Sequence, residues 1–453
     1  MMRDGLPHHA LSDKQRTKSQ QFLVVGSYTE KLGHVDGKGK GLYVLKFDHA
    51  KQTFAASAGL LGKPQLSSLQ NPTYLTSYRS TPSSTPSIYI VEESNDSAGF
   101  VSAATLDEET GELKALGPAI PAAGDAKGKK GAACCHISAS PGGEHVLAAN
   151  YHGGSVVSIR RAPDGSLDAA AVQYVVLPPE SHQVKYPGPN AGRQDVSHAH
   201  MCLFSRGTHA TTLLVPDLGS DLVWSIPYDA TKAKPLGVPI ATAAGHTSLE
   251  GGGPRHAALH PTKPIVYIVY ELTSQAAAFA LDPMTGAIIG PPLCVCNVMD
   301  GSQAPFLGGG SSRVRRGAAG GEAYSQLVQQ GGICSDKATS IAAARVTPSG
   351  SHLIVSNRIV SAPGALSSIP LLSSGSFGRT MSLSSTLGHT PRDFTLVAPP
   401  AAAAKAGKRK ATEAGVLALA ANQDSDEITL MREGADPHVL TMEVPTPVCL
   451  CFV

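Results

Sequence analysis

The stretch from Asn71 to Gly117, NPTYLTSYRSTPSSTPSIYIVEESNDSAGFVSAATLDEETGELKALG, breaks into four short β-rich segments separated by turn residues. They run from Tyr74 to Tyr78, Ser87 to Glu92, Gly99 to Leu106 and Glu112 to Leu116. Alternating apolar positions bounded by Ser, Asn, Asp and Gly are the pattern of strands joined by tight turns, so the unit predicts a four-stranded β-meander. The same pattern starts again at Cys134, His198, Arg255, Ser340 and Arg392, giving six starts spaced irregularly at roughly fifty to eighty residues. A chain of 453 residues is too long for one ordinary core, and a β architecture reaches that size by adding units.

The two ends set the number of units. The chain opens at FLVVGSYTE, GKGLYVLKFD and QTFAASAGL, which match strands two, three and four of the meander with no first strand before them. Val444 to Val453, VPTPVCLCFV, resembles the first strand and has nothing after it. Pairing the two completes a seventh unit and leaves no long sheet edge exposed. The expectation is an all-β, seven-bladed propeller of four-stranded blades, with the C-terminal strand joining the N-terminal blade.

Residues 1–21 then read as a disordered polar leader, and 22–453 as one propeller domain. Segments near 301–336, 361–390 and 399–414 are rich in Gly, Ser or Ala without a strand period, and are expected to be mobile loop insertions. Charged residues at 16%, with Gly 47 and Pro 33, fit frequent turns and argue against long solvated helices.

A net charge of +2, with no basic face beyond KAGKRK at Lys405 to Lys410, implies no nucleic-acid partner. No run approaches the roughly 18 apolar residues that cross a bilayer, and the leader has no apolar core of a secretory type, so no membrane is implied and a cytoplasmic protein is expected. Cys294/Cys296 and Cys449/Cys451 sit among aliphatic residues and read as buried reduced thiols rather than a metal site. Oligomeric state is left open.

In a propeller the first strand of each blade lines the central channel, so polar residues at those starts face a common space. The starts include Asn71-Pro72, His136, His198-Ala199-His200, Pro254-Arg255-His256 and Pro391-Arg392-Asp393. Neighbouring strands run antiparallel, so the end of the second strand returns to the same face, and Glu271 is expected beside Arg255. His198 and His200, two apart, suggest one shared side, but no third and fourth ligand accompany them, so no metal is expected.

The segments SHAH, GGGPRHAALHP, YIVYEL, SNR, PRDF and ALAANQDSDEI together resemble the seven-bladed propeller lactonase family, which includes bacterial-type 6-phosphogluconolactonase and fungal 3-carboxy-cis,cis-muconate cyclase. The resemblance runs from Phe22 to Val453 apart from the three insertions. It implies a pocket built from His200 (His198 as alternate), Arg255, Glu271 and Arg392, and cofactor-independent hydrolysis of a small anionic sugar lactone. Glu271 or His200 would act as base, Arg255 would stabilise the oxyanion, and Arg392, with Arg255 and His198, would bind the substrate's anionic group. Two alternatives stay open: a carboxymuconate lactonising cycloisomerase, and a non-catalytic binding scaffold. The Asp usual in the SPDG turns is missing from SPGG, HPTK and TPSG, which touches turns rather than the pocket.

Overall fold

Strands such as Ile265–Tyr270 (IVYIVY) are apolar at every position because both faces are buried between neighbouring sheets. Val266, Ile268 and Tyr270 pack with Leu214 and Val223 of the preceding sheet, while Ile265, Tyr267 and Val269 pack with Ile341, Leu353 and Val355 of the following one. A side-chain period of two thus serves two cores at once, which is why the sequence shows a continuous apolar run.

The computed structural model describes residues 20–55, 59–94, 98–123, 133–242, 250–299, 339–360, 362–379, 381–397, 417–432 and 438–453. These form seven antiparallel blades, a seven-bladed β-propeller. The innermost strands of blades 2 to 7 are Pro72–Tyr78, Cys134–Ala139, Leu203–Arg206, Pro254–Leu259, Thr339–Val346 and Pro391–Leu396. Blade 1 is composite: Pro447–Phe452 pairs with Gln20–Ser27, in register from Leu23 opposite Phe452 to Gly26 opposite Cys449, and then shifts so that Ser27 lies opposite Pro447. The closure carries a polar clasp, since Asp393 of blade 7 accepts Leu450 N–H of blade 1 at 3.1 Å and pairs with Arg345 of blade 6 at 2.8 Å.

One expectation needs correcting. The Ser-rich stretch 361–390 supplies the third and fourth strands of blade 6, Ala365–Pro370 and Ser382–Ser385. Serine is tolerated there because Ser367, fully buried, donates to Val298 C=O and accepts Asn357 Nδ2–H at 2.8 Å. The first strand starts at Gln20, two residues earlier than expected. The insertions at 301–336 and 399–414, and the leader through residue 19, lie outside the described residues. Cys449 and Cys451 are buried in the core around blade 2, and Cys294 and Cys296 pack between blades 5 and 6, all as free thiols. Among the described residues, no helix is long and apolar enough to cross a membrane.

The detail that positions the site repeats in every blade. Thr73, Cys135, Arg255, Arg392 and Val448 each fall in a register shift where the inner strand carries one residue more than its partner. Blade 6 has the same excess between Ile341 and Ala344, and blade 4 between the Ala199–Asp217 bridge and Leu203. A β-bulge re-aims the extra side chain, here toward the axis. Just before the bulged strands, Asn71, Ala133, Gly253, Thr390 and Thr446 adopt left-handed φ of 43°, 40°, 63°, 55° and 44°. Their carbonyls accept the N–H of the residue just past the second strand: Glu93, Tyr151, Glu271, Gln423 and Tyr28, at 3.0, 3.0, 2.9, 3.0 and 3.2 Å.

At Gly253 the left-handed backbone coincides with crowding, because a Cβ there would meet Leu218 and Leu272 at 2.9 Å. Gly253→Ala is expected to cost about 1–2 kcal/mol, read as a lower urea midpoint at constant slope.

Candidate functional site

The bulges bring Thr73, Cys135, His200, Arg255, Arg392 and Val448 around one small axial cavity, with Glu93 completing its charged lining. A wider depression on the outer edge of blade 5, formed by Ala280 and residues 289–293, carries no ionisable group. The chemistry is therefore concentrated at the axis.

Glu271 stands behind the cavity with its carboxylate held by three guanidiniums. Arg255 Nε lies 2.8 Å from Oε2, Arg193 Nη2 2.7 Å from Oε1 and Arg358 Nη2 3.1 Å from Oε1. Burial alone would raise its pKa, but Arg358, Arg255 and Arg193 outweigh it and hold the group well below the usual carboxylate range. Such a carboxylate is a poor proton acceptor and a good orienting group. Arg255 is fixed at both ends, since its Nη1 donates to Ala342 C=O while its Nε faces Glu271. Burial, with Arg358 nearby, pulls the Arg255 pKa down to about 10, leaving it charged at neutral pH.

Across the cavity, Arg392 Nη2 donates to the Tyr28 hydroxyl at 2.8 Å, and Tyr28 donates to Glu93 Oε2 at 2.9 Å. The Arg392 guanidinium lies 5.3 Å from the Tyr28 ring centre, a cation–π contact that adds to the hydrogen bond. Counting formal charges, four arginines face two carboxylates, an excess of two positive charges if His200 is neutral.

His200 is that neutral group. Burial first, and then the charge of Arg255, push its pKa well below the ordinary histidine value. Its Nδ1 lies 3.8 Å from Cys135 Sγ, and burial and Glu93 push that thiol up to about 12, so the sulfur is a thiol rather than a thiolate.

Three of the four residues expected at the pocket, His200, Arg255 and Arg392, line one cavity, and Glu271 touches Arg255. His198 stands elsewhere: its ring stacks on Tyr151 at 4.3 Å, and its nitrogens contact Tyr151 C=O and Asp195 Oδ1 at 3.0 and 2.9 Å. It supports Tyr151, whose ring also meets the His200 ring edge-on at 5.5 Å. Among the described residues, no three His, Cys, Asp or Glu side chains are grouped as metal ligands.

Glu93, Tyr28, Tyr151, Cys135, Arg358 and Arg193 were not singled out as site residues from sequence. The first three occupy the same place as Glu271, one residue beyond the last register pair of the second strand, while Arg358 follows Asn357, the residue paired at the blade 6 bulge, and itself pairs opposite Ser340. That offset is the signal that finds them. The preceding position is structural in most blades: Glu92 accepts Gln70 N–H at 3.0 Å, and Asp217 accepts Trp224 Nε1–H at 3.0 Å.

A family model described as "Lactonase, 7-bladed beta-propeller" matches residues 22–452. A relative from Bacillus subtilis named 6-phosphogluconolactonase is 29% identical over 263 residues, 58% of this chain and 63% of that one, so the match spans less than two thirds of the relative's length. A solved Lactobacillus plantarum protein superposes with a TM-score of 0.66 at 24% identity, over 96% of this chain and 99% of that one. The periplasmic gluconolactonase of Pseudomonas aeruginosa superposes with a TM-score of 0.65 at 23% identity, over the same shares of each chain, 96% and 99%. At these identities the superpositions speak for the fold alone.

Proposed function

Because the chain belongs to the seven-bladed β-propeller lactonase family, we propose that it hydrolyses a small lactone carrying an anionic group, with the axial cavity as active site. The observation that carries this reading is the convergence of His200, Arg255 and Arg392 on one cavity through a bulge repeated at the same point of each blade. The two-charge excess there favours an anion, and a phosphate ester brings about −1.5 to −2 at neutral pH.

In this reading water attacks the lactone carbonyl carbon while His200 takes its proton. Arg255, aimed by Glu271 and Ala342, stabilises the oxyanion, and its orientation is set before substrate arrives. Collapse of the tetrahedral species breaks the ring C–O bond, and the imidazolium returns its proton to the departing oxygen. The product is a hydroxy acid whose carboxylate Arg392 holds, steadied by Tyr28. The steps need only these side chains and water. Glu271 is assigned to orientation rather than to the base, since three cations occupy its oxygens.

The test is a rate measurement with freshly prepared 6-phosphogluconolactone, followed by acid release, beside a cyclisation assay with 3-carboxy-cis,cis-muconate. Acid release well above the spontaneous rate is expected. Turnover of the muconate alone would move the chemistry to proton transfer in the lactonising sense. Turnover of neither would leave the propeller as a binding scaffold and overturn the proposal.

A further inference from the structure

Arg193 comes from the connection between blades 3 and 4, outside the repeat that places every other charged group of the site. The loop is pinned by Gln194, which is fully buried and donates through Nε2 to Leu218 C=O at 3.0 Å while accepting Asn190 N–H at 3.0 Å. Gly188 N–H bonds back to Gln194 C=O at 2.8 Å. The backbone beside Arg193 is thus fixed, and its side chain reaches over to the site.

Its exposure sets it apart. The Arg193 side chain is 42% exposed, against 3% for Arg255 and 18% for Arg358. Its contacts all use one nitrogen: Nη2 donates to Glu271 Oε1 at 2.7 Å and approaches the Tyr151 hydroxyl at 3.3 Å. Among the described residues, Nε and Nη1 have no partner. Glu271 keeps two largely buried guanidiniums without Arg193, so the third is more than charge balance requires.

We propose that Arg193 is the specificity-determining contact of the site, binding an anionic substituent that the substrate carries away from its lactone ring. The inference rests on the lactonase reading for the position of the ring. With the reacting carbonyl between His200 and Arg255 in so small a cavity, a remote phosphate or carboxylate must lie outside it, toward solvent. Arg193, bonded to the same Glu271 carboxylate as Arg255, is the half-exposed guanidinium beside the site with unused donors. A hydrogen bond between charged groups at such a place is worth about 1.5–3 kcal/mol, or roughly 10- to 100-fold in selectivity.

The experiment compares wild type, Arg193→Met and Arg193→Lys on 6-phosphogluconolactone and on uncharged glucono-δ-lactone. The expected result is that the ratio of kcat/KM for the phosphorylated over the neutral lactone falls roughly 10- to 100-fold in Arg193→Met, mostly through KM, and recovers in part in Arg193→Lys. An unchanged ratio, or equal loss on both substrates, would overturn the proposal and reduce Arg193 to a counter-charge for Glu271. Calorimetric titration with 6-phosphogluconate and with gluconate separates the two readings. If wild type hydrolyses neither lactone, the lactonase reading falls. Selective loss of 6-phosphogluconate affinity in Arg193→Met would then still support the anion contact, and equal affinities would remove it.

Discussion

His200→Gln is expected to lower kcat on the lactone by about 10²–10⁴-fold while the protein remains folded, since Gln keeps a polar group in the cavity without a base at neutral pH. The pH profile gives this prediction its specificity. Burial and Arg255 depress the His200 pKa, so in free enzyme the imidazole stays unprotonated well below the ordinary histidine range. The acid limb of kcat/KM should fall correspondingly below pH 6.5. An anionic substrate adds negative charge beside the ring and favours the imidazolium, so the acid limb of kcat should lie at higher pH than that of kcat/KM. Stopped-flow or pH-stat rates across the acid range check both limbs, and in His200→Gln both should disappear. A variant that keeps the wild-type rate and limb would shift the base to another group, of which Glu93 is the carboxylate lining the cavity.

The sequence was most informative where a backbone rule repeats. Seven blades and their closure followed from the meander and from a first strand displaced to the C-terminus, because strand count and edge protection are topological demands. Arg255 and Arg392 stood out since Pro-Arg recurs at two blade starts, and the structure shows both in the same bulge. Glu271 emerged from antiparallel geometry, but its counterparts at the same offset, Glu93, Tyr28 and Tyr151, did not. Glu93 sits one residue past Glu92, which pairs opposite Pro72, and that register depends on the bulge rather than on the apolar pattern. Serine misled at 361–390, since its place in blade 6 depends on buried partners at Val298 and Asn357 that composition does not reveal. Arg193 had no signal at all: it belongs to a connection with no equivalent in other blades, and only three-dimensional proximity links it to Glu271, seventy-eight residues away.

Glu271→Gln should unsettle the fold as well as the chemistry. The substitution keeps the shape but removes the negative charge that faces Arg255, Arg358 and Arg193. Two of those cations are largely buried, and stranding buried charge costs about 3–5 kcal/mol, whereas the half-exposed Arg193 adds little because water screens it. The expected result is an unfolding free energy, read from urea titration, lowered by that amount at neutral pH, and an oxyanion donor no longer aimed. Removing a stranded cation should relieve part of the loss, so Glu271→Gln with Arg358→Met is expected to be more stable than the sum of the single changes by about 0.5–3 kcal/mol. The pH dependence carries the same sign. Glu271 has a depressed pKa in the folded state, so its contribution is full above the unfolded value of about 4.3 and is lost as pH falls through the folded one. The gap between wild type and Glu271→Gln should therefore narrow in acid. His200 and His256, also depressed by burial, bind protons in the unfolded chain first, and erode the stability of both proteins as pH falls through the ordinary histidine range. A gap that stays constant down to the acid limit would mean that the carboxylate's charge does not stabilise the folded site.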